Sequence, residues 1–162
     1  MLLKGSCHCA RVSYSVNSTH PYPFNLCYCS ICRKTAGGGG YAINLAAHNA
    51  SLKVEGESYI SIYQAMLKDE ELDEHTQSPC QRHFCSCCGS ALWAWDPRWP
   101  ELIHPFASAI DTVLPIAPAH THLMLEFKAP WVEVLTGPED LSFSRYPDES
   151  IAQWHQRHGL EK

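Results

Sequence analysis

Several common signatures are missing from this chain of 162 residues. No apolar stretch is long enough to span a bilayer, and the opening Met1-Leu2-Leu3-Lys4-Gly5 is far too short for a secretory signal. A cytoplasmic protein with no membrane partner is the expectation. A basic surplus is also absent. Lys and Arg number 12 against 17 Asp and Glu, a formal charge of -5, so no nucleic-acid partner is expected. The 10 histidines form no His-x-x-x-His or His-Glu-x-x-His pattern, which removes histidine as the obvious ligand class. Neither a Walker nor a Rossmann pattern surrounds the glycines. No internal repeat, low-complexity tract or linker interrupts residues 1–162. One domain with its own core is the simplest account.

Cysteine is what the chain has in quantity. An odd count of 9, including the adjacent pair Cys87-Cys88, fits a disulfide framework poorly and suits metal binding or redox chemistry in a reducing compartment. The densest run is Cys27-Tyr28-Cys29-Ser30-Ile31-Cys32, followed by Arg33-Lys34 and the glycines Gly37 to Gly40. Three sulfurs so close can share one soft cation, with zinc the default. Three protein ligands and an open place is the layout of a zinc that does chemistry, while a fourth ligand would make the site structural. Cys7-His8-Cys9 and the Cys85-x-x-Cys88 knuckle, with Gly89 after it, supply two further pairs. Together these pairs offer the four sulfurs of a closed zinc site. Spacing alone leaves the division open. The triplet could take Cys80 or Cys87 as a fourth ligand, and Cys87 could compete within the knuckle.

Alternation of Val12, Tyr14 and Val16 with Ser13 and Ser15 predicts a half-buried strand. Further short strands are predicted at Phe24–Leu26, Tyr41–Leu45 (closed by Ala46 to Asn49), on either side of Gly56, at Ala91–Trp95, Leu102–Ala107, His122–Lys128 and Val132–Val134. Ser30 to Lys34 reads as one helical turn. The acidic run Lys68 to Glu74 reads as a surface helical turn or loop. A C-terminal helix is expected to start after Asp148 as its cap, to bury Trp154 and to end at Gly159. The pattern is mainly β.

Gly5-Ser6-Cys7-His8-Cys9, Cys27-Tyr28-Cys29-Ser30-Ile31-Cys32-Arg33-Lys34 and Phe84-Cys85-Ser86-Cys87-Cys88-Gly89-Ser90 resemble the glutathione-dependent formaldehyde-activating enzyme family, which includes centromere protein V. Ser108-Ala109-Ile110-Asp111 and Lys128-Ala129-Pro130-Trp131-Val132 resemble that family's closing strands. The likeness runs from about residue 4 to 135, with 136–162 as an extension. It implies a zinc-stabilised, β-tent-like fold of short antiparallel strands with a C-terminal helix. It assigns Cys7, Cys9, Cys85 and Cys88 to a structural zinc and Cys27, Cys29 and Cys32 to a catalytic one. It also implies carbon–sulfur lyase-type activity on S-hydroxymethylglutathione. On that basis Arg33 and Lys34 are candidates to attract a glutathione carboxylate, and Gly37 opens a loop that gives the ligand backbone room. The partner would be a small thiol or aldehyde adduct. The rival expectation is a zinc-held binding module, without turnover, for a thiol or a protein. Two features depart from the family pattern: the acidic stretch 68–74, which looks inserted, and the extra sulfur at Cys87.

Overall fold

The computed structural model describes residues 1–69 and 74–160. In chain order the strands are β1 (Leu2–Ser6), β2 (Ser13–Asn17) and β3 (Phe24–Cys27), followed by helix α1 (Ser30–Ala36). Then come β4 (Ala42–Asn44), β5 (Ala47–His48), β6 (Lys53–Glu55), β7 (Ile60–Tyr63), β8 (Met66–Asp69) and β9 (Glu74–Gln77). The remainder are β10 (Gln81–Cys85), β11 (Ala91–Trp95), β12 (Leu102–Pro105), β13 (His120–Leu123), β14 (Leu141–Ser142) and helix α2 (Ile151–Arg157).

The strands build a sheet of order β1-β2-β6, a second of order β5-β12-β11-β10-β7, a third of order β14-β13-β3-β4, and the hairpin β8-β9. In β2, Tyr14 and Val16 face the core and the serines between them do not, as their alternation predicts. β11 lies at the centre of the second sheet, and its Leu92, Trp93 and Ala94 are all buried. That explains its unbroken apolar run. The first two sheets enclose a core around Leu3, Val16, Leu45, Leu92, Trp93 and Ile103. Pairing is antiparallel except at β13, which runs parallel to both β3 and β14. The pairing of Leu123 with Cys27 fixes where β3 ends and the thiol run begins.

Five local expectations need correcting, the last at the cap of the C-terminal helix. The predicted strand His122–Lys128 starts two residues earlier and stops at Leu123, because Met124 takes a φ of 63° and opens a 3-10 turn at Leu125–Phe127. Val132–Val134 forms no strand. The Val132 amide closes a turn onto the Ala129 carbonyl, and Lys128 Nζ binds the Val132 carbonyl at 2.7 Å. Ala47 and His48 do not merely end β4; they pair with Ile103 and Leu102 of β12. Lys68 and Asp69 close β8 and Glu74 opens β9, so the acidic stretch is not helical where described; residues 70–73 lie outside the described residues.

The chain after residue 135 packs onto the same body through β14 and α2. Trp154 is 2 % exposed, and His155 Nε2 reaches the Tyr22 carbonyl at 2.7 Å. The cap of α2 is Ser150, not Asp148. Ser150 accepts from the Gln153 amide, and the Gln153 side chain binds the Ser150 amide, closing a capping box.

Candidate metal centres

All nine cysteines are free thiols. Seven of them gather into two groups, and within each group the sulfurs lie within 4.8 Å of one another. The first unites Cys7, Cys9, Cys85 and Cys88. Its two halves come from facing turns: the loop after β1 and the turn between β10 and β11. Each turn swings back through a left-handed residue directly after its second cysteine, Ala10 (φ 59°) in one and Gly89 (φ 74°) in the other. The Ala10 amide binds the Cys7 carbonyl and the Gly89 amide binds the Cys85 carbonyl. In β10 the register slips between His83 and Phe84, a bulge that bends the strand just before Cys85. Ser90 staples the two turns together. Its hydroxyl accepts from the His8 amide at 3.1 Å and lies 3.2 Å from Cys88 Sγ. That hydroxyl, with the amides of Ser90 and Cys9, pulls the Cys88 thiol down to about 5. His8 itself is exposed, and exposed Cys87 stays outside the group.

The second group is Cys27, Cys29 and Cys32, drawn from the end of β3 and the start of α1. Cys29 is the N-cap of that helix, and its sulfur accepts from the Cys32 amide at 3.3 Å. Cys27 and Cys32 are buried and Cys29 is half-buried. Crowding divides the ionisation unequally. The Cys27 and Cys32 thiols, with the backbone amides, hold Cys29 far below the ordinary thiol range, at about 2. The Cys29 and Cys32 thiols, together with burial, push Cys27 strongly up. The residue between the first two sulfurs is anchored separately. Tyr28 is buried, and its hydroxyl lies 2.9 Å from His122 Nδ1. The other His122 nitrogen lies 3.4 Å from Asp140.

Neighbours of the triplet that the spacing of cysteines does not reveal come from later in the chain. Cys80 packs against the cluster of Cys27 and Cys32. Arg82 Nη2 lies 4.0 Å from Cys32 Sγ. Arg98 is held by Asp96 at 2.6 Å, and Tyr146, on the surface, lies within electrostatic reach of Arg98 and of the triplet. The sequence-predicted binding residues are placed as follows. Arg33 is half-buried, with its Nε enclosed and unpartnered, and Lys34 is exposed. Gly37 is buried, and a Cβ there would meet the Tyr41 carbonyl oxygen at 2.2 Å. Gly38 and Gly39 face open space. A surface cavity of about 360 Å³ lies beside His120, Gly137 and Asp140, and no cysteine lines it.

The donor sets fit zinc. Sulfurs at about 2.3 Å in a tetrahedron stand about 3.8 Å apart, and Cys9 Sγ lies 3.6 Å from Cys7 Sγ and 3.7 Å from Cys85 Sγ. The first set offers four sulfurs within ligand range of one another, and the second offers three.

The same residues fall inside a family match. The model of the family described as glutathione-dependent formaldehyde-activating enzyme matches residues 2–125. A protein of Halomonas elongata, provisionally named a glutathione-dependent formaldehyde-activating enzyme, is 62 % identical over 162 residues, covering 100 % of this chain and 99 % of that one. A crystal structure of a Rhodobacter sphaeroides protein shares the fold, with a TM-score of 0.52 and 24 % identity over 69 % of this chain and 91 % of its own. A match across most of the length, together with a relative this similar, shows that the chain belongs to the glutathione-dependent formaldehyde-activating enzyme family.

Proposed function

We propose that the chain is a zinc-dependent enzyme of the carbon–sulfur lyase type, acting on the adduct of glutathione with formaldehyde, S-hydroxymethylglutathione. In this reading residues 1–162 work as one unit in a reducing cytoplasm, where nine free thiols persist. Cys7, Cys9, Cys85 and Cys88 hold a structural ion, and Cys27, Cys29 and Cys32 hold the one that meets substrate. The observation that carries the reading is the division of the sulfurs into four and three.

When bound at the triplet, zinc supplies a Lewis acid that favours a ligand thiolate near neutral pH and polarises a carbon–oxygen bond. The chain's residues do the rest. Cys27, Cys29 and Cys32 would hold the ion, and the glutathione sulfur or the hydroxymethyl oxygen would be its further ligand. The reaction makes or breaks one carbon–sulfur bond and moves one proton between sulfur and oxygen. Arg33 and Lys34, following the last thiol, attract a glutathione carboxylate. Gly37 keeps the loop tight against Tyr41 so that Gly38 and Gly39 leave space for the peptide backbone.

A triplet closed by Cys80 or Cys87 as fourth ligand would favour the rival, a binding module without turnover. Cys80 packs beside the triplet yet is not among the sulfurs within mutual ligand range, and Cys87 is exposed. The test is exchange of 13C-formaldehyde with glutathione followed by NMR, with zinc counted per chain. Faster exchange with two zinc ions, lost in Cys29→Ser, supports the reading. Exchange at the uncatalysed rate with both zinc sites filled contradicts it.

A further inference from the structure

Arg82 is placed on β10; the residue is half-buried, and its Nη2 reaches toward the triplet. Nε and Nη1 are buried without any hydrogen-bond partner. Nη2 has one acceptor, Cys32 Sγ at 4.0 Å. No Asp or Glu among the described residues pairs with it; the sulfur of Cys32 is its one acceptor there, and Cys80 packs against the same cluster. A guanidinium keeps its charge throughout the working pH range. Two guanidinium nitrogens enclosed without an acceptor are costly unless negative charge lies close by. Thiolates at the triplet supply it.

The balance is simple if the triplet is an open zinc centre, the reading on which this inference rests. Three thiolates on one divalent ion leave a net charge of about -1, and one guanidinium cancels it. Three thiolates also weaken the Lewis acidity of their ion, and a cationic N–H donor on one sulfur withdraws part of that electron density. We propose that Arg82 is the positioning residue that balances the thiol triplet: its guanidinium donates to Cys32 and neutralises the centre, so that an incoming thiolate can take the fourth place. Nothing in the cysteine spacing signals this role, because Arg82 reaches the triplet only through the register of β10.

The test uses the full chain loaded with Co2+, whose sulfur-to-metal charge-transfer bands report electron density on the thiolates, and glutathione as titrant. In Arg82→Met the band contributed by the triplet shifts to lower energy before glutathione is added. The dissociation constant for glutathione rises by at least about tenfold, since an anion now approaches an anionic centre. Arg82→Lys keeps the charge and holds that constant within about threefold of wild type. Should Arg82→Met fail to fold, Arg82→Gln removes the charge with the same expected loss. A folded Arg82→Met protein with an unshifted band and unchanged affinity overturns the proposal. So does Arg82→Lys behaving like Arg82→Met. If the wild type itself shows no response to glutathione, the open-centre reading fails, and the glutathione-free band shift still decides whether Arg82 bears on the sulfurs.

Discussion

Replacing Cys29 with serine separates the two centres, because this residue has two jobs that serine performs unequally. Its sulfur caps α1 by accepting the Cys32 amide. A serine hydroxyl is a good N-cap acceptor, so the helix start survives Cys29→Ser with a change of about 1 kcal/mol or less. Cys29→Ala removes the acceptor and costs about 1 kcal/mol more, a further fall in Tm of about 2–4 °C for a chain of this length. As a ligand, serine is a poor substitute, since a neutral hydroxyl replaces a soft thiolate. Both variants should therefore keep one zinc ion per chain after dialysis where wild type keeps two, and both should stay folded. Cys85→Ser makes the contrast. Cys85 is 0 % exposed, and its sulfur joins β10 to the group of the first turn. Losing its ion removes folding free energy on the order of 10 kcal/mol, as much as the whole net stability of a typical domain, about 5–15 kcal/mol. It should be unfolded at 25 °C by circular dichroism. Elemental analysis and thermal melts on the three variants check this. The reasoning is refuted if Cys29→Ser keeps two ions, or if it unfolds as Cys85→Ser does.

Cys87→Ser should leave the metal count unchanged and shift stability by no more than about 0.5 kcal/mol, because the side chain is exposed and outside both sulfur groups; a denaturant titration shows it. Gly37→Ala should cost roughly 1–3 kcal/mol, since its methyl would sit 2.2 Å from the Tyr41 carbonyl oxygen, whereas Gly38→Ala, with open space around it, should be neutral or slightly stabilising. Asp140→Ala should cost roughly 1–3 kcal/mol by stranding the amides of Gly137 and His120, which it accepts at 2.8 and 2.7 Å. Its Tm should fall without loss of zinc.

What the sequence makes legible here is chemistry that repeats at short range. Cys-x-Cys, Cys-x-Cys-x-x-Cys and Cys-x-x-Cys-Gly each bring their sulfurs together over a few residues, so the three runs can be read directly, while spacing alone leaves open how they divide between sites. The strand of Tyr14 and Val16 shows for the same reason, as burial follows its alternation. The Ser150 cap was also within reach: Ser150 and Gln153 stand at capping-box spacing, but the acidic Asp148 just before them competes as a signal. Contacts made by register across long separations are not legible. Arg82 reaches the triplet because β10 pairs it with Ala94 of β11, which packs in the cluster of Cys27 and Cys32, and Cys80 stands just before that strand. His122 reaches Tyr28 because β13 lies parallel to β3. Val132–Val134 looks like a strand by residue type, and only the turn closed on Ala129 prevents it.

Zinc-edge X-ray absorption on the two-zinc protein, before and after glutathione, reaches the central claim most directly. One four-sulfur and one three-sulfur ion predict an average of about 3.5 sulfurs per zinc at about 2.3 Å, rising to about 4 when glutathione fills the open corner. An average of about 4 from the outset, unmoved by glutathione, would mean that both ions are enclosed and that the triplet is not an open centre.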